Sequence, residues 1–324
     1  MNKLTLILKI LLLAFPLISF AEPSTTLQCE PDPIYKTTDS YQDVKEVALN
    51  MIEKYGADKV LFASDIDNTL LTMDQHLGSD AWFLWQSKQL GINKKDDLYS
   101  INSFDKLLKA QRLLFDISSM STMEENQPEL LSWFDKQGVD KIYITSRGPS
   151  TLSATLRELK ENGYKLSNFK HENASSSSYS PYFERNISEL KLSFAELKSF
   201  NVIKKGASCD KDNFELGKCL KPARKNAYHR GLYMTSGQHK GFMLKLLLTQ
   251  NPFIGMNYKA IIFIDDTKHH VVDMYKTFCS STDLILFNYI KAKNRNEAFN
   301  EMDKKPLINK WIELKKHLEK FDLN

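Results

Sequence analysis

Short, unbroken apolar runs recur along the chain: Lys59-Val-Leu-Phe-Ala-Ser64, Lys141-Ile-Tyr-Ile-Thr145, Gly231-Leu-Tyr-Met-Thr235, Ala260-Ile-Ile-Phe-Ile264 and Leu284-Ile-Leu-Phe287. A strand with one wet face alternates apolar and polar residues. An unalternated run predicts a strand covered on both faces, as in a parallel sheet. The middle three are each followed by a helical pattern, at residues 150–161, 239–248 and 268–278. Ahead of the first lies an amphipathic stretch, Ser40 to Lys54, with Val44, Val47, Ala48, Met51 and Ile52 on one face and Gly56 as its stop. Strand and helix in this rhythm predict an α/β fold: a Rossmann-like, open, mainly parallel sheet with helices on both faces.

Two stretches interrupt the rhythm. Residues 72–138 carry helical periodicity around Asp80–Leu90, Phe104–Ser118 and Met123–Lys136, with Trp82, Trp85 and Trp133 among the apolar positions. Aromatic residues at helical spacing predict core contacts and not a ligand cage. Residues 165–230 open on Asn173-Ala-Ser-Ser-Ser-Ser-Tyr-Ser180, end in Lys221-Pro-Ala-Arg-Lys225, and read as an irregular insertion over the sheet. Asn173 and Asn186 fit the glycosylation acceptor pattern, which is frequent by chance. The expected organisation is an α/β core of residues 22–71 and 139–324, a helical cap of residues 72–138, and the second insertion within the core.

The amino terminus adds a compartment. Lys3 and Lys9, an apolar run from Ile10 to Phe20, and the small residues of Ser19-Phe-Ala21 make residues 1–21 a predicted secretory signal peptide, cleaved near Ala21. That run holds a proline and falls short of the roughly 20 residues a spanning helix needs, so no stable membrane insertion is expected after cleavage. Thr-Thr-Leu-Gln before Cys29 is not a lipoprotein site. A secreted or periplasmic destination lets Cys29, Cys209, Cys219 and Cys279 pair. Four cysteines allow three connectivities, and a buried free thiol is an alternative for Cys279. A Cys209–Cys219 bridge would staple the second insertion, and the spacing is wrong for a zinc knuckle.

Charge excludes more than it suggests. Lysine and arginine number 44 against 40 acids, and the signal peptide carries two of the lysines, so the exported chain is near balance. Nucleic acid as a partner would call for a concentrated basic surface.

The chemistry gathers just past the predicted strands. Asp65 and Asp67, in Asp65-Ile-Asp-Asn-Thr69, follow the first run, and Thr145, Ser146 and Arg147 follow the second. Lys240 follows Thr235-Ser-Gly-Gln-His239, and Asp265-Asp266 end the fourth run. Carboxyl ends of parallel strands share one sheet edge, where open α/β sheets bind ligands, so these groups should converge. On its own, the first motif also reads as an acidic turn or helix cap. His239, His269 and His270 read as surface or helix-end residues, because the adjacent pair lacks the i, i+4 spacing that brings two ligands onto one metal.

In order, Asp-x-Asp-x-Thr, a strand ending in Thr, a lysine and a paired-acid motif resemble the phosphatases of the haloacid dehalogenase superfamily, and the chain also looks like secreted bacterial members of unassigned function. The resemblance covers roughly residues 40–72, 139–163 and 231–290. It implies a magnesium-dependent phosphomonoesterase working through an aspartyl-phosphate. By the resemblance Asp65 is the nucleophile and Asp67 the general acid and base. Thr145, Ser146 and Lys240 would contact the substrate phosphate. Mg2+ would be held by Asp65, Asp265 or Asp266, and the main-chain carbonyl of Asp67. A cap inserted after the first motif would close over the site and select the leaving group. Two alternatives share this scaffold: a dehalogenase, against which Asp67 argues, and a secreted binding or effector protein without turnover.

Overall fold

The computed structural model describes residues 29–30, 32–90, 101–166, 192–249 and 256–319. The predicted signal segment and both glycosylation patterns lie outside these residues. The strands are β1 (Lys36–Thr38), β2 (Val60–Ser64), β3 (Leu71–Met73), β4 (Met120–Thr122), β5 (Asp140–Thr145), β6 (Ala227–His229), β7 (Leu232–Met234), β8 (Ala260–Asp265) and β9 (Asp283–Tyr289). Seven of them form one sheet in the order β1-β9-β8-β2-β5-β7-β6. Only β6, hairpinned to β7, runs antiparallel within it. The fold is α/β, Rossmann-like and mainly parallel. Every residue of β2, β5, β7 and β8 is buried, as the unalternated runs predict.

Helices cover both faces. On one lie α1 (Tyr41–Tyr55), α4 (Gln127–Gln137) and α5 (Leu152–Glu161), packed through Val44, Ala48, Phe134 and Leu159 onto Phe62 and Ile262. Phe62 and Phe134 stack with centroids 4.3 Å apart. On the other lie Phe242, Leu246, Val271 and Met274, from the helices Lys240–Leu248 and Lys268–Phe278. These meet Leu61, Ile142 and Phe263 of the sheet and Leu197, Phe200 and Val202 of the second insertion. Within that insertion the structure places two short helices, α6 (Phe194–Ser199) and α7 (Leu216–Cys219), which makes Lys240–Leu248 α8 and Lys268–Phe278 α9.

The insertion after β2 divides differently from the sequence-based boundary at residue 138. Antiparallel β3 and β4 form a two-stranded stalk. Beyond it stand α2 (Asp80–Gln89) and α3 (Phe104–Ile117), whereas α4 packs on the sheet beside α1. The reason is Phe134, whose best apolar surface is the sheet itself. A third cluster joins Trp82, Leu107 and Leu114 of the cap to Phe299 of α10 (Lys293–Glu301) and to Leu307 and Trp311 of α11 (Lys305–Glu319). The cap is therefore braced by the carboxyl-terminal helices.

Disulfides join Cys29 to Cys279 and Cys209 to Cys219, so Cys279 is not a free thiol. Among the described residues no helix is long and apolar enough to cross a membrane.

Candidate functional site

Chain order grows outward from β2 in two directions. It runs first to β5 and the β6–β7 hairpin, then crosses back to β8 and β9, beside which the amino-terminal β1 forms the far edge, so the order reverses between β2 and β8. Such a switch point leaves a crevice at the carboxyl edge. Register puts Ser64 beside Ile264, so the residues that follow, Asp65 and Asp265, stand on adjacent strands. Asn68 closes the turn after β2 with φ of 57°, a left-handed conformation asparagine tolerates. Thr69 Oγ1 accepts the Asp266 N–H at 3.0 Å and so stitches this turn to the end of β8.

Lys240 opens α8, and its Nζ lies 2.5 Å from Asp65 Oδ1 and 2.7 Å from Asp265 Oδ2. Lys240 and Asp265 are fully buried and Asp65 is nearly so. Gly241 makes this approach possible: a Cβ there would come within 2.7 Å of the Asp273 carbonyl oxygen in α9. Asp65, Asp265 and Asp266 can each bring a carboxylate oxygen within 4.8 Å of the others.

Burial pushes the Asp65 carboxyl up to about 7, against the pull of Lys240 and with the help of Asp265 and Asp67. Asp266 is pushed well above the usual range by burial and by neighbouring carboxylates. Burial also acts to raise Asp265, but Lys240 and His270 outweigh it and hold that group down at about 2. Burial opposes the charge on Lys240 too, and Asp265 and Asp65 reverse this, leaving it raised. The site therefore offers more carboxyl groups than Lys240 alone can keep ionised.

Asp67 is turned elsewhere. Arg147 Nη2 donates to its Oδ1 at 2.8 Å and Nε to its Oδ2 at 3.0 Å, a two-pronged ion pair. Arg147 is buried, with Nη1 on Thr155 Oγ1 at 2.8 Å and Glu158 Oε2 at 2.5 Å, and its guanidinium lies 3.9 Å over the Phe115 ring. Thr145, also buried, accepts the Arg147 N–H on Oγ1 at 3.1 Å, and Ser146 is exposed. Asp65, Lys240, Asp265 and Asp266 are thus brought together, while the Asp67 side chain is held apart from them by an arginine network whose extent the sequence does not announce.

Three further residues enter from outside the motifs. Asp80, at the first position of α2 and preceded by the capping Ser79, carries a carboxyl raised to about 7 by burial, then by Asp67. The sequence shows it only as helix-cap material. His270 Nδ1 lies 3.2 Å from both Asp265 oxygens. His239 is a helix-end residue, as expected, but a largely enclosed one: its side chain is 7% exposed, and its Nδ1 caps α8 by accepting the Phe242 N–H at 3.1 Å.

A search of curated proteins finds no match. The profile of the family described as "Protein of unknown function (DUF2608)" matches residues 37–322, from β1 to beyond α11. The chain, over nearly its whole length, belongs to the DUF2608 family.

Proposed function

We propose that this protein is an exported, Mg2+-dependent phosphomonoesterase resembling the haloacid dehalogenase superfamily, with Asp65 as nucleophile. The observation that carries the reading is Lys240, buried between Asp65 and Asp265 at the sheet's switch point. A buried cation held by two carboxylates at a ligand-binding edge neutralises charge where an anion must approach an anion.

The donor set fits the metal. Asp65, Asp265 and Asp266 offer hard oxygen ligands in an oxygen-only cluster, the preference of Mg2+ over softer ions. Bound there with the Asp67 carbonyl, the ion would supply the positive charge that the excess of carboxylates lacks. Asp65 Oδ1 is committed to Lys240 at 2.5 Å, whereas Oδ2 accepts only a long 3.5 Å hydrogen bond from Thr69 Oγ1, which makes Oδ2 the oxygen to attack phosphorus. The new bond is Oδ2–P, the broken bond joins phosphorus to the ester oxygen, and the departing oxygen takes a proton from Asp67. Water, losing its proton to Asp67, then releases phosphate and restores Asp65. Thr145 Oγ1 already accepts from Arg147, so its own hydrogen is the one to donate to the phosphate, with Ser146 beside it. The paired disulfides fit export through a cleaved signal peptide to the periplasm or beyond.

One observation favours a second reading, a secreted binding protein on the same scaffold: both oxygens of Asp67 are occupied by Arg147. Hydrolysis of p-nitrophenyl phosphate with Mg2+ and with EDTA separates the two. Metal-dependent turnover that vanishes in Asp65→Asn, with the circular dichroism unchanged, is expected. Folded protein without turnover across several phosphomonoesters selects the binding reading, and full activity in Asp65→Asn removes Asp65 as nucleophile.

A further inference from the structure

Beside the site lies a second recess. A cavity of about 340 Å³ is walled by the second insertion, by the loop that precedes Lys240 and by the first turn of α9. Lys221, Arg224, His239, His269 and His270 line it, and Asp273 is the single acid among the described residues of its lining. His270 belongs to both places, lining the cavity and touching Asp265. His239 is the residue immediately before Lys240.

A buried histidine forms part of the wall. His239 Nδ1 accepts a main-chain N–H, so in the neutral ring the hydrogen sits on Nε2. That Nε2 is buried and has no hydrogen-bond partner among the described residues. Asp273 Oδ1 approaches it to 3.3 Å, within ion-pair reach but outside hydrogen-bond geometry. The ring is held edge-on against Phe200, with centroids 5.1 Å apart, and cannot swing out to water freely. A cavity whose described lining sets Lys221, Arg224 and three histidines against one acid is complementary to an acceptor carrying negative charge.

We propose that this cavity is an anion subsite that takes a second acidic group, phosphate or carboxylate, on the same substrate whose phosphomonoester sits at Asp65. The physiological substrate is then a bisphosphate or a phosphorylated acid, not a simple phosphorylated alcohol. Lys221 and Arg224 supply the long-range charge. His270, which lines the cavity and touches Asp265, sets the two sites side by side.

The inference rests on the phosphomonoesterase reading, and the test separates the two. Dissociation constants are measured calorimetrically on the full chain carrying Asp65→Asn, with Mg2+. The probes are phosphoglycerate against glycerol phosphate, and a hexose bisphosphate against the matching monophosphate. Each is repeated with Lys221→Gln and Arg224→Gln added, and kcat/KM on the chain with Asp65 intact gives a parallel comparison. In at least one pair the member with the extra acid should bind about tenfold tighter, the factor that one charge-assisted contact supports. That advantage should shrink to within about twofold in the glutamine variants, with the simple monoester bound as before. Equal binding within both pairs, or an advantage that survives both substitutions, overturns the proposal. So does inorganic phosphate bound at Lys221 and Arg224 without any advantage for the doubly acidic probes. An advantage that persists while the intact chain turns over no phosphomonoester leaves the subsite standing and removes the phosphatase.

Discussion

Arg147 shows how much one buried side chain can organise. Its guanidinium joins Asp67 of the first motif to Glu158 of α5, and it lies flat on Phe115 of the cap. Burial raises the Glu158 carboxyl, and the arginine only partly offsets this. Arg147→Ala would strand two carboxylates and should destabilise the protein by about 3–5 kcal/mol, the usual cost of breaking a buried pair from one side. Arg147→Lys keeps the charge but loses the fork, so Asp67 loses its orientation and kcat should fall further than KM changes. Denaturant melts and steady-state kinetics check the two outcomes. A second expectation follows from carboxyls raised by burial. Asp65 and Asp80 bind protons more tightly folded than unfolded, so between the ordinary carboxylate range near 4 and about 7 the folded state holds the extra protons. Stability of the metal-free protein should therefore rise as the pH falls from about 8 to about 5. Added Mg2+ should raise the melting temperature more at the alkaline end, where the carboxylates are charged. A melting temperature flat with pH and indifferent to Mg2+ would refute this.

Among elements, the contact of α8 with α9 matters most, because it sets Lys240 against Asp265 and places His270 beside them. Gly241→Ala would push a methyl group into the Asp273 carbonyl and Thr277 of α9. The helices must separate to admit it, at a cost of about 1–3 kcal/mol by analogy with overpacked cores. Turnover should fall with stability, because Lys240 moves with its helix. The bracing of the cap is of the same kind. Trp82 of α2 and Trp311 of α11 lie with ring centroids 6.3 Å apart inside the third cluster. Trp311→Ala should destabilise by about 3–5 kcal/mol, and protease cleavage in the cap should accelerate. Unchanged melting and unchanged proteolysis would show that the cap stands without this brace.

For the whole molecule, the Cys29–Cys279 bridge links positions 250 residues apart and clamps the start of the described chain to the end of α9. Cys209–Cys219 closes a short loop in the second insertion. Loop-entropy reasoning gives the longer closure the larger effect, within a range of about 2–5 kcal/mol. Cys29→Ser with Cys279→Ser should lower the melting temperature more than Cys209→Ser with Cys219→Ser. The sheet, its parallel sense and its strand-end chemistry were legible in the sequence because they depend on local facts: apolar runs of strand length, helices between them, and motif residues one step past each run. That Asp65, Lys240 and Asp265 would share one edge followed from parallel order alone. What stayed out of reach depends on contacts between residues far apart in the chain. Phe134 drew α4 out of the cap and onto the sheet, and Trp311 carried the carboxyl terminus onto the cap. Arg147 took both oxygens of Asp67, and His239 was buried with one nitrogen unsatisfied. No local pattern encodes these placements, because each was settled by which apolar surface or opposite charge lay nearest once the sheet had closed.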